Sequence, residues 1–265
     1  MQGENEVVAR PVGQAARAAG KRPLVGVIVP PADGAVPPEL PQLYGAELDF
    51  IGFGLALGKL TTQGYDSVID NVAAASRALA ARGADAVALM GTSLSFYRGK
   101  AFNAQLVRTM SEATGGLPVT TMSNAVVEAL RAVGGRRIAV GGRRIAVATA
   151  YTAEVNQQLA TFLGDNGFSV AGLEALELVE IPDIHAVGDA ELLALGRRAV
   201  ANAPGADALL ISCGGLRTLP VELPLEQELG IPVVSSAVAG AWAAARLAGH
   251  AGRVAGRTRL LGSGE

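Results

Sequence analysis

Ala84-Asp85-Ala86-Val87-Ala88-Leu89-Met90-Gly91-Thr92-Ser93 aligns without gaps against Ala206-Asp207-Ala208-Leu209-Leu210-Ile211-Ser212-Cys213-Gly214-Gly215, and this internal match decides the fold. Two further segments repeat at nearly the same spacing. Leu117-Pro118-Val119-Thr120 matches Ile231-Pro232-Val233-Val234, and Leu24-Val25-Gly26-Val27-Ile28-Val29 matches Arg144-Ile145-Ala146-Val147-Ala148-Thr149. One apolar match in an alanine- and valine-rich chain is weak evidence, but three in the same order indicate duplication. In this alignment Gly91 stands opposite Cys213, the only cysteine of the chain. If the two halves face each other across a cleft, one side offers a thiol that can move a proton and the other offers backbone. That arrangement predicts chemistry on one face of a bound molecule.

The length of 265 residues fits one large domain or two small ones, and the repeat favours two. Half of the residues are hydrophobic and only 4% aromatic, with 34 glycines, which suits close-packed helices on buried parallel strands joined by tight turns. The net charge of −2 provides no basic footprint for nucleic acid or for an anionic membrane, so neither partner is expected. A lone cysteine cannot form an internal disulfide, and His185 and His250 are far apart in sequence, so no metal site and a reducing cytoplasm are expected. Residues 1–22 lack the continuous apolar core of a secretory signal or membrane span and read as a disordered extension.

Along the chain, Leu24 to Val29 reads as a buried strand halted by Pro30-Pro31. Pro31 to Thr62 reads as a long loop that packs over something through Leu55, Leu57 and Leu60. Helices are expected over about 64–82, 101–114, 152–163, 190–201 and 237–247, with another capped at Ser123. Strands are expected at 84–89, 118–121, up to Thr149, 208–212 and 232–235. The alternation implies parallel sheets with right-handed crossovers. A tandem repeat, Gly134-Gly135-Arg136-Arg137-Ile138-Ala139-Val140 followed by Gly141-Gly142-Arg143-Arg144-Ile145-Ala146-Val147, interrupts the pattern. The second copy is expected to form the strand, since it runs directly into Ala148-Thr149-Ala150-Tyr151.

In open parallel sheets, ligands bind beyond the carboxyl ends of the strands. Four segments end strands in this way: Pro30-Pro31, Gly91-Thr92-Ser93, Tyr151-Thr152 and Cys213-Gly214-Gly215. Cys213 fits either a small buried hydrophobe or an accessible thiol; its place between an apolar strand and two glycines favours the thiol. Thr92 and Ser93 fit a helix cap or a carboxylate site. Tyr151 fits packing or binding, and Glu180, Asp183 and His185 read as a solvated loop. The first strand is followed by no glycine-rich phosphate fingerprint, which disfavours a nucleotide cofactor.

The runs Leu89-Met90-Gly91-Thr92-Ser93-Leu94-Ser95-Phe96-Tyr97-Arg98-Gly99, Ala101-Phe102-Asn103, Ala148-Thr149-Ala150-Tyr151, Ser212-Cys213-Gly214-Gly215-Leu216 and Pro232-Val233-Val234-Ser235-Ser236 closely resemble the bacterial arylmalonate decarboxylases. These are members of the aspartate/glutamate racemase superfamily, whose racemases and maleate isomerases carry a cysteine in each half. The resemblance implies an α/β fold of two pseudo-symmetric, Rossmann-like parallel-sheet domains with the active site between them. Residues 23–121 plus 237–265 would form the first domain and 122–236 the second.

It further implies cofactor-free decarboxylation of α-aryl or alkenyl malonates to single-enantiomer acids; the protein is expected to be a cytoplasmic monomer. Cys213 would be the proton donor. Thr92, Ser93, Tyr151, Gly214 and Gly91 would surround the retained carboxylate. Pro30, Leu57, Leu60, Tyr65, Ile181 and Ile184 would make the apolar pocket for the departing one. Two other readings share this layout: a racemase or isomerase with a second base, and a two-lobed binding protein that holds small acids without consuming them.

Overall fold

The computed structural model describes residues 21–134 and 143–262. Its first half runs β1 (Leu24–Val29), α1 (Glu39–Tyr44), β2 (Asp49–Gly54), α2 (Thr62–Val68), α3 (Asn71–Ala81), β3 (Ala86–Leu89), α4 (Thr92–Phe96), α5 (Gly99–Ala113), β4 (Val119–Thr121) and α6 (Met122–Ala132). The second runs β5 (Arg143–Thr149), α7 (Ala153–Asp165), β6 (Phe168–Ala175), α8 (Ile181–His185), α9 (Asp189–Ala201), β7 (Ala208–Ser212), α10 (Leu219–Leu229), β8 (Val233–Ser235), α11 (Ser236–Leu247) and α12 (Arg259–Gly262). Two four-stranded parallel sheets result, ordered β2-β1-β3-β4 and β6-β5-β7-β8. Among the described residues no helix is long and apolar enough to cross a membrane.

The sequence repeat reappears as register. Val25 lies beside Ala86 as Ile145 lies beside Ala208, and Val87 lies beside Val119 as Leu209 lies beside Val233. The repeated Ala-Asp pair also has a physical task. The Asp85 carboxylate accepts the Leu24 amide at 2.8 Å, and Asp207 accepts the Arg144 amide at 2.9 Å, so each aspartate ties the start of the neighbouring strand to its own. Both fourth strands end in a hydroxyl that caps the next helix: Thr121 accepts from the Asn124 amide and Ser235 from the Val238 amide. The cap of α6 is therefore Thr121, and Ser123 instead bonds the Thr92 carbonyl and the Ser95 hydroxyl. β3 and β7 are buried along their whole length, as parallel strands covered on both faces must be.

Several expected loops contain structure. The stretch from Pro31 to Thr62 carries α1 and β2, and the region after Leu163 carries β6 and α8. β2 is an edge strand, only half-buried, with glycines at 52 and 54. A Cβ at Gly52 would lie 1.8 Å from the Gly34 carbonyl oxygen, and one at Gly54 would lie 2.4 Å from that of Pro31. The crossing loop therefore requires the residue that weakens the strand signature. The expected 64–82 helix breaks at Ile69-Asp70 into α2 and α3. Arg143 to Val147 form the strand expected of the second tandem copy; residues 135–142, which include most of the first, lie outside the described residues. So do residues 1–20, whereas Arg22 ion-pairs with Asp49 and donates to the Gly45 carbonyl at 2.9 Å.

Helix α10 buries two neighbouring carboxyl groups beneath β8. Glu226 accepts the amides of Val233 and Arg259 at 3.0 and 2.8 Å. Glu222 is fully buried; burial pushes its carboxyl up to about 8, and Glu226 and Glu39 act in the same direction against hydrogen bonds from Ser235. The unfolded chain releases this proton near the ordinary 4.5, so the folded state binds more protons between pH 4.5 and 8, and stability falls as pH rises through that window. At about 1.4 kcal/mol per pKa unit, the accumulated loss is on the order of a few kcal/mol. Glu222→Gln is expected to raise the melting temperature at pH 8 and leave it nearly unchanged at pH 5. A difference independent of pH would refute this protonation.

Candidate active site

The carboxyl ends of β1, β3, β5 and β7 converge on one cavity of about 260 Å³. Its lining includes Pro30, Gly91, Thr92, Ser93, Tyr151, Cys213 and Gly214, so all four expected strand-end segments meet there. Leu57, Leu60, Ile181 and Ile184 supply an apolar wall. Tyr65 does not line the cavity. It is buried behind Ser93, toward which its hydroxyl lies, with its ring packed edge-on against Tyr97 at 5.2 Å.

The apolar wall comes from two equivalent loops. After β2, Leu55 and Leu57 donate to the carbonyls of Val29 and Pro30; after β6, Leu176 and Leu178 donate to those of Thr149 and Ala150. The loops then join. The Leu60 amide donates to the Val179 carbonyl at 2.9 Å, and Lys59 pairs with Glu180 at 2.8 Å. Glu180 thus ties the loops together, while Ile181 to His185 form a short helix that turns Ile184 and His185 to the cavity. The expected loop is thus partly helical, with Ile184 buried, while Asp183 and His185 are exposed as expected and Glu180 is half-buried in its pair with Lys59.

Cys213 is buried, and burial raises its thiol to about 11 against hydrogen bonds from the Gly215 and Leu216 amides and from Tyr151. The sulfur is therefore a neutral S–H near pH 7, an acid and not a nucleophile. Burial likewise raises the Tyr151 phenol well above its ordinary value, so it remains a donor. Tyr151 is held from two sides: Asn156 donates to its carbonyl at 2.9 Å, and Ser212 donates to its hydroxyl at 3.4 Å. Sequence reasoning passed over both supports, since a buried Asn or Ser shows no spacing signature.

Thr92 and Ser93 open α4, whose first-turn amides have no intrahelical carbonyl to bond. The Thr92 hydroxyl rests 2.9 Å from the Met122 sulfur, a weak acceptor, and can turn to a carboxylate at small cost. Across from the thiol, Gly91 has φ −129°, a conformation open to any residue, yet a Cβ there would meet Leu94 Cβ at 3.1 Å and Pro30 Cγ at 3.3 Å. The inner end of the cavity thus combines neutral O–H donors with one neutral thiol. Such a set stabilises negative charge developing on oxygen and delivers one proton.

The family model for arylmalonate decarboxylase matches residues 25–261. The chain is 49% identical to the arylmalonate decarboxylase of Bordetella bronchiseptica over 227 residues, 86% of this chain and 91% of that one. It superposes on a liganded glycine-to-cysteine, cysteine-to-serine double variant of arylmalonate decarboxylase with a TM-score of 0.84 at 47% identity, covering 90% of this chain and 98% of the other. A maleate cis-trans isomerase from Nocardia farcinica bound to TRIS shares the fold at a TM-score of 0.81 and 23% identity, covering 90% and 97%. The layout belongs to both kinds of enzyme, but identity near one half over most of the chain sides with the first, and the chain belongs to the arylmalonate decarboxylase family of carboxy-lyases.

Proposed function

We propose that the protein removes one carboxylate from α-aryl malonates and protonates the resulting enediolate on one face from Cys213. The observation that carries this reading is the juxtaposition of the buried neutral thiol with Thr92, Ser93, Tyr151 and the Gly214 backbone, facing Gly91. One malonate carboxylate is held by these donors; the other lies against Leu57, Leu60, Ile181 and Ile184. Breaking the C–C bond releases neutral CO2 and leaves the electron pair on the α-carbon, delocalised into the retained carboxylate. Fixed O–H and N–H donors stabilise that charge as it grows. The Cys213 proton then passes to carbon, and the thiolate regains a proton from solvent.

An apolar surround for the leaving carboxylate favours its conversion to CO2, because a poorly solvated anion becomes a neutral molecule. Attack by a thiolate on the substrate, as an isomerase would need, is disfavoured by a thiol raised to about 11. Phenylmalonate incubated with the protein should release one equivalent of CO2 and give phenylacetate. Ser93→Ala should lower kcat by roughly 100- to 1,000-fold, the effect of removing one oxyanion donor at about 2.7–4 kcal/mol. No CO2 from folded protein would overturn the reading.

A further inference from the structure

The inner end of the cavity is buried, but its mouth is not, and the mouth is charged. Asp33, His185 and Arg217 line it as exposed side chains, together with the buried Glu39. They form one cluster. The Arg217 guanidinium acts on both the Glu39 carboxyl and the His185 ring, and Asp33 acts on that ring from the β1–α1 loop. Among the described residues, Arg217 has no hydrogen bond or ion pair, and the Glu39 carboxylate is bonded only by its own amide. Arg217 and Glu39 therefore have donor and acceptor capacity left over, and both line the cavity that a ligand would fill.

Building on the decarboxylase reading, we propose that this mouth selects α-aryl malonates whose ring carries a phenolic hydroxyl on the edge remote from the α-carbon. A substrate anchored by its carboxylate at the inner end extends its ring past Pro30 and Gly215 toward Arg217 and Glu39. The cluster is of mixed sign, which decides the class of substituent. Asp33 and Glu39 repel an anionic group, and Arg217 repels a cationic one. A hydroxyl suits both partners, since its O–H donates to the Glu39 carboxylate and its oxygen accepts from the guanidinium. An unsubstituted ring would cover Glu39 and leave it unanswered, the situation in which a polar site rejects the analogue lacking the group.

The test compares kcat/KM for (4-hydroxyphenyl)malonate and phenylmalonate in the native protein, in Arg217→Leu and in Glu39→Ala. The hydroxyl donates electrons to the reacting carbon equally in all three, so that effect cancels when the ratios are compared. Arg217→Leu should lower the hydroxyl-to-unsubstituted ratio by about tenfold, through a raised KM for the hydroxylated substrate. Glu39→Ala, if it folds, should also lower the ratio, in part by improving phenylmalonate, whose ring no longer covers an unanswered carboxylate. An unchanged ratio, or an equal loss for both substrates, would overturn the proposal. If neither malonate releases CO2, the decarboxylase reading fails, and the same ratio is then read from calorimetric dissociation constants of (4-hydroxyphenyl)acetate and phenylacetate. Indistinguishable constants in the native protein, or a ratio insensitive to Arg217→Leu, would contradict the selectivity.

Discussion

Cys213→Ala is expected to lower kcat by about 100- to 10,000-fold, the range over which a positioned general acid contributes, while affinity for an unreactive arylacetate is retained. Both halves of that expectation come from geometry. The sulfur shares the cavity with Thr92, Ser93 and Tyr151, the proposed carboxylate donors, so its loss leaves them in place. The thiol is also held neutral by burial, so its removal deletes a proton source and no charge. Whatever slow turnover persists must take its proton from water, which has no fixed position in the cleft. With methyl(phenyl)malonate as substrate, the residual 2-phenylpropionate should therefore be racemic. Unchanged kcat, or residual product of undiminished enantiomeric purity, would assign the proton to another group.

Gly91→Cys is expected to have the opposite character, a new activity gained with a loss of the old. The φ of −129° suits an L-residue, and the neighbours Leu94 and Pro30 need yield only a few tenths of an ångström. In the proposed binding mode a thiol there would face Cys213 across the reacting carbon, which is the arrangement that removal and return of a proton on opposite faces requires. The variant should racemise α-aryl propionates and exchange their α-hydrogen in D2O, whereas the native protein should do neither. Its decarboxylation should fall, because the added side chain takes space from the substrate. No exchange by folded Gly91→Cys would contradict the two-face argument.

The central strands and most of the inner site were legible in the sequence for a shared reason. β1, β3, β5 and β7 are buried on both faces and read as continuous apolar runs, and their carboxyl ends fix where Pro30, Gly91, Tyr151 and Cys213 must gather. The repeat added the pairing register, because Asp85 and Asp207 perform one task twice. The edge strands β2 and β6 were not legible, since their half-buried faces and the glycines at 52, 54 and 172 erase the alternation. α10 has no clear helical signature in the sequence, because Pro220 stands in its first turn and Pro224 inside it. Asp33, Glu39 and Arg217 carried no motif at all. Only the folding of three distant loops around one opening makes them neighbours.

The most direct test of one-faced protonation is decarboxylation of methyl(phenyl)malonate in D2O with chiral analysis of the product. The account predicts one equivalent of CO2 and 2-phenylpropionate that is predominantly one enantiomer, with a single deuterium on the α-carbon. Racemic product formed at the native rate, or intact malonate recovered from folded protein, would contradict it.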